Sequence, residues 1–142
     1  MEIIKGDLLT SSGLLVQQVN ATTLRPMGLS AALAKAFPNE FYYKLVPPPL
    51  RSLGSAHCTG RVVHLCAQKR PGKPRGPDDT PELRLLWFKQ ALENLTAQRP
   101  GAPVALPYGI GCGLAGGNWN VYSEAIEDWA LKHGGPITLY RL

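Results

Sequence analysis

Residues 107–119, PYGIGCGLAGGNW, place five glycines in thirteen positions. Glycine leaves main-chain N–H groups uncovered and lets a ligand approach without a Cβ in the way, at a cost in conformational entropy. The segment lies between the apolar run APVAL and the helix-like run NVYSEAIEDWALK. That is the form of an anion cradle. The amides of Gly109, Ile110, Gly111, Cys112, Gly113 and Leu114, following Pro107, can converge on a diphosphate, helped by the positive end of the next helix. Two common phosphate loops are excluded by spacing. No Gly-Lys-Ser or Gly-Lys-Thr closes the segment, and its glycines precede the helix by several residues, unlike a dinucleotide-binding GxGxxG. The alternative is a flexible loop made of glycine turns.

Two other segments carry chemistry. In VNATTLRPMGLSAALA, Asn20 ends a strand-like run, and Met27, Gly28, Leu29 and Ser30 open a helix rich in small residues. A carboxamide accepts from one sugar hydroxyl and donates to another, and a glycine at a helix start allows close approach. Asn20 can equally cap a turn. In KGDLL, Asp7 can accept from an adenine amino group or form an Asx turn. Cys112 sits where a thiolate could be stabilised, but no histidine is near it in sequence. His57 and His64 fall in strand-like runs, where structural histidines are the ordinary outcome.

These residues need elements to hold them. EIIK (2–5), LLVQQVN (14–20), PVALP (103–107) and PITLYRL read as strands, and SAHC (55–58) with RVVHLCAQ (61–68) as a strand pair turning near Thr59–Gly60. Helices are expected over 28–37, ending at Pro38, and from Pro81 behind a Thr80 N-cap, with Leu85, Phe88, Leu92 and Leu95 on one face. In the last helix Tyr122, Ala125, Ile126 and Trp129 share a face, and Gly134 follows its end. Residues 39–54, with prolines at 47–49, read as irregular. The tryptophans are accounted for by helix packing. Alternating strands and helices argue α/β layers around a mixed or parallel sheet. Ligands of such sheets bind beyond the strands' carboxyl ends, and three segments leave such ends: NATTLRPMGLS after 14–20, QKRPGKPRG after 61–68 and YGIGCGLAGG after 103–107.

The 142 residues suit one domain, spanning 1–142, and 44% hydrophobic content gives it a core. No run is long or apolar enough to span a bilayer, and the N-terminus has no signal-peptide pattern, so an intracellular protein is expected. Three cysteines without a CxxC pair argue against a disulfide framework and a structural zinc site. The net charge is +5, and KRPGKPR (69–75) holds four of the fifteen basic residues. A nucleic-acid partner is not expected of this segment, because it has no interleaved aromatics or docking motif; it reads as a solvated loop. No metal or cofactor is called for, and a monomer is expected.

Together, EIIKGDLL, QQVNATTLRPMGLSAALAKAFP and ALPYGIGCGLAGGNWNVYSEAIEDW resemble the macrodomain family of ADP-ribose binders. The likeness is greatest to the small branch that holds the glutamyl-ADP-ribose hydrolases and the yeast- and phage-type ADP-ribose-1″-phosphate phosphatases. It implies a three-layer α/β/α sandwich around a mixed, six-stranded sheet, with ADP-ribose across the strands' carboxyl ends. Asp7 and Leu8 would then hold the adenine end, with Tyr140 packed nearby. Asn20, Met27, Gly28, Leu29 and Ser30 would line the distal ribose and diphosphate, and residues 107–114 would form the phosphate loop.

The glutamyl-ADP-ribose hydrolases follow GCGL with an aspartate that works with a lysine; this chain has Ala115. Either Gln68 or Lys69 takes the lysine position. GLAGG followed by a polar residue and Trp is similar to the phosphatase-like and phage-like members. The resemblance thus implies hydrolysis of ADP-ribose 1″-phosphate or an ADP-ribosyl ester, with Lys69 and Asn20 as the catalytic candidates. The alternative it implies is a pocket that binds free or attached ADP-ribose without chemistry.

Overall fold

The computed structural model describes residues 1–142. Six strands form one sheet: β1 (Glu2–Lys5), β2 (Leu14–Asn20), β3 (Ser55–Thr59), β4 (Val62–Gln68), β5 (Val104–Pro107) and β6 (Ile137–Arg141). Their order across the sheet is β1-β6-β5-β2-β4-β3. All neighbours are parallel except the β3–β4 hairpin, so the carboxyl ends of five strands open on one edge. The sheet is therefore mixed and six-stranded, as expected.

Helices cover both faces. On one face lie α3 (Pro81–Gln98) and α4 (Trp119–His133). Phe88, Leu92 and Leu95 of α3 and Tyr122, Ile126 and Trp129 of α4 bury against Val16, Val63, Leu65, Leu106 and Leu139. Each such side chain adds about 1.5–3 kcal/mol relative to exposure. On the other face α1 (Leu29–Ala36) seats Leu33 against Leu15, Val62 and Ala105. Beside it the single turn of α2 (Tyr42–Leu45) packs Tyr42 and Tyr43 on Val19 and Cys66. Residues 39–54, read as irregular, contain this turn because two consecutive tyrosines have sheet surface to cover.

Local chemistry sets the helix ends. Thr80 Oγ1 accepts from the Leu83 amide at 3.1 Å ahead of Pro81, and Asn118 Oδ1 accepts from the Asn120 amide at 3.0 Å. Gly134 closes α4 in the left-handed region. Gly28 precedes α1 with φ 55° and ψ −125°, a conformation costly for any residue with a Cβ, and so fixes how the chain enters that helix. No helix is long and apolar enough to cross a membrane.

Candidate ligand cleft

The carboxyl ends of the parallel strands border a cleft of three adjoining lobes. The central lobe, about 280 Å³, lies over the glycine segment and includes Met27, Gly28, Pro107, Gly109, Gly111 and Gly113. Ser30, Gln18, Gln68, Leu114 and Ala115 join it to a lobe of about 460 Å³ that also takes in Asn20, Thr23, Arg25, Tyr43 and Gly72. Leu29, Pro107 and Tyr108 join it on the other side to a lobe of about 360 Å³ holding Asp7, Leu8, Tyr140 and Arg141. Met27 and Leu114 are exposed apolar side chains that border both the central and the larger lobe. The carboxyl-end segments expected to meet a ligand thus do come together.

The glycine segment provides fewer amides than its sequence suggests. The Ile110 and Cys112 amides donate to the carbonyls of Pro107 and Gly109, at 3.1 and 2.9 Å. The amides of Gly109, Gly111, Gly113 and Leu114 have no protein acceptor. A Cβ on Gly111, whose φ is 76°, would sit 2.7 Å from the Tyr122 ring and 3.0 Å from Gln18 Oε1, so this residue must be glycine for the turn to close. At Gly109 and Gly113 a Cβ would meet nothing within 4 Å. Cys112 does not line the cleft, and burial pushes its thiol up to about 11, which removes it as a thiolate.

The larger lobe corrects two expectations. Asn20 Oδ1 is occupied by the amides of Thr22 and Thr23, at 3.1 and 2.8 Å, and its Nδ2 donates to the Tyr43 hydroxyl. Asn20 is chiefly a turn cap, with at most one N–H left for a ligand. Lys69 lines none of the three lobes, because its Nζ is held 2.7 Å from Asp78. Gln68 faces the lobe instead. A register shift between Val19 and Asn20 sets Asn20 opposite Gln68. Gln18 Nε2 donates to Gln68 Oε1 at 2.7 Å, while Gln18 Oε1 is shielded from solvent and has no protein partner.

The basic segment is a largely exposed loop, as expected, anchored by buried partners outside it. Arg70 pairs with Asp78, and the buried Arg84 grips Asp79 through Nε and Nη2 at 2.7 and 2.8 Å. The same guanidinium donates to the carbonyls of Arg70, Gly72 and Ala115, tying this segment to the end of the glycine loop. A further cavity of about 280 Å³ lies behind that junction, between Pro74, Leu85, Val121 and Tyr122. At the opposite end Asp7 does form the Asx turn, accepting from the Leu9 amide at 2.9 Å, and its carboxylate still borders the lobe. Arg141 stacks over Tyr108 there. No group of three or more His, Cys, Asp or Glu side chains is placed to hold a metal ion.

Sequence reasoning missed Gln18, Arg25, Tyr43, Tyr108 and Arg141. Only Gln18 left a signal, as one of two adjacent glutamines in a strand that is otherwise apolar up to Asn20.

No protein-family model matches the sequence, and no curated protein does. Solved structures do match. The macrodomain of Mycobacterium tuberculosis DarG superposes with a TM-score of 0.76 at 16% identity, covering 98% of this chain and 95% of that one. The macrodomain of Thermus aquaticus DarG gives 0.74 at 20% identity, covering 99% and 97%. This chain has the macrodomain fold. Thermosipho africanus DarTG in complex with ADP-ribose also superposes, with a TM-score of 0.73 at 16% identity, covering 99% of this chain and 41% of that one.

Proposed function

We propose that this chain binds ADP-ribose along the three-lobed cleft. Adenine lies in the lobe of Asp7, Leu8 and Tyr140, the diphosphate on the amides of Gly109, Gly111, Gly113 and Leu114, and the distal ribose beside Ser30, Gln18 and Gln68. The observation that carries this reading is the set of four unpartnered main-chain N–H groups on a loop bordering the middle of the cleft. The macrodomain fold, shared with a protein solved with ADP-ribose, supports it. Calorimetry with ADP-ribose tests it. Binding that is lost in Gly113→Glu, where an added Cβ meets nothing within 4 Å and the carboxylate fills the cradle and repels phosphate, is the expected result. No heat at millimolar ADP-ribose overturns it.

Binding without chemistry is the reading the large lobe favours. Its walls present amides, hydroxyls and the Arg25 guanidinium, with no carboxylate, imidazole or ammonium to activate water. Hydrolysis of ADP-ribose 1″-phosphate or an ADP-ribosyl ester is the second reading, favoured by the free amides, which can stabilise developing negative charge. Release of ADP-ribose above the buffer rate from either compound selects hydrolysis. Tight binding with no release selects a module that reads ADP-ribose.

A further inference from the structure

A chain of buried and half-buried polar groups runs from the back of the sheet to Ser30 in the cleft. Thr59 Oγ1 lies 3.2 Å from the Glu40 carbonyl and 2.8 Å from His64 Nε2. His64 Nδ1 lies 2.8 Å from Gln17 Nε2, and Ser30 Oγ lies 2.5 Å from Gln17 Oε1. Gln17 and His64 are both buried.

The direction of every hydrogen bond follows from the far end. The Glu40 carbonyl can only accept, and the Thr59 hydroxyl has a single proton to give it. Giving that proton to the Glu40 carbonyl, which has no other protein donor, is the arrangement that pairs every acceptor in the chain; His64 Nε2 then carries a proton and donates to Thr59. Burial, with the charge of His57 next, pushes the His64 imidazole down to about 3, so it holds one proton only and Nδ1 accepts. Gln17 then turns its NH₂ to His64 and its carbonyl to Ser30, and the Ser30 proton is spent on Gln17. What Ser30 shows the cleft is lone pairs.

We infer that Ser30 is a specificity residue, locked as an acceptor by Gln17 and His64, that selects a hydroxyl-bearing distal sugar over a terminal phosphate. The inference rests on ADP-ribose occupying the cleft as proposed above. Ser30 stands where the central and larger lobes meet, the place where ADP-ribose continues into a ribose and ATP into a γ-phosphate. A ribose hydroxyl can donate to Ser30. The oxygens of an ionised phosphate cannot, and two acceptors face each other unpaired. Arg25 attracts either anion, so discrimination falls to hydrogen-bond polarity. Gln17 and His64 act as positioning residues.

Competition calorimetry with ADP-ribose, ATP and ADP tests this, with ADP as the reference that lacks a distal group. The expected result is a parent protein that prefers ADP-ribose to ATP, a preference that falls about 5-fold in Ser30→Ala, the effect of one hydrogen bond. Ser30→Thr, which keeps the hydroxyl, retains it. Gln17→Leu frees the Ser30 proton to turn toward the cleft and should improve ATP relative to ADP by a similar factor. An unchanged ADP-ribose to ATP ratio in Ser30→Ala overturns the inference while leaving ADP-ribose binding intact. Equal losses for all three nucleotides in Gln17→Leu overturn the positioning role, since they mark a structural defect. A parent protein that fails to bind ADP-ribose removes the underlying reading as well.

Discussion

Asp78 and Asp79 are neighbours in sequence, and both pair with arginine, yet they do different things. Asp78 is nearly half exposed and meets Lys69 and Arg70 at the surface. Asp79 is fully buried and takes two hydrogen bonds from Arg84, which is itself almost inaccessible, plus one from the Arg70 amide. Water and salt screen the outer cluster. The inner pair is unscreened and has three carbonyls hanging on its guanidinium, those of Arg70, Gly72 and Ala115. Gly72 and Ala115 are both walls of the large lobe. The outer cluster therefore removes Lys69 from the cleft at little energetic consequence, whereas the inner pair holds the cleft's shape.

Arg84→Met should break this contrast most severely. It strands a buried carboxylate and three carbonyls, and a loss of about 3–5 kcal/mol in urea unfolding is expected, together with weaker ADP-ribose binding. Adding Asp79→Leu to Arg84→Met sharpens the comparison. If the stranded charge is the main cost, the double variant recovers about 2 kcal/mol, the remainder belonging to the carbonyls.

Acid offers a third test. Burial raises the Asp79 carboxyl, but the Arg84 guanidinium and the Arg70 amide outweigh it, so the net displacement is downward. Asp78 is held well below the usual carboxylate range by hydrogen bonds from Arg70 and then Lys69. A carboxyl lowered in the folded state stabilises above its unfolded value, near pH 4, and that contribution is lost as pH falls through the folded value. The urea midpoint should drop below about pH 4, and Asp79→Asn should flatten the drop more than Asp78→Asn. At neutral pH, Asp78→Asn has the smallest effect of the set, a slightly lower unfolding midpoint because the exposed cluster is screened, with Lys69 freed to reach toward the cleft.

The contrast also marks what the sequence could carry. Thr80-Pro81 announced α3, and the spacing of Tyr122, Ala125, Ile126 and Trp129 announced the buried face of α4, because caps and periodicity act within a few residues. The strand boundaries at 2–5 and 14–20 and the hairpin at Thr59–Gly60 were readable for the same reason. The glycine segment was recognisable as a cleft wall, but not which of its amides its own turns would use. Lys69 looked available because nothing local shows that Asp78, nine residues on, folds back to it. Gln18 meets Gln68 only through the β2–β4 register, a pairing that spans fifty residues. The Glu40–Thr59–His64–Gln17–Ser30 chain joins five elements or loops and leaves no local trace.

One more consequence lies at the rim of the sheet. Strands β1 and β6 run side by side in the same direction, so Met1 and Leu142 point to opposite ends of the domain. Leu142 itself borders the lobe of Asp7 and Tyr140. A purification tag or fusion partner appended after Leu142 would crowd the entrance to that lobe, whereas one placed ahead of Met1 would depart from the distant edge and leave the entrance clear.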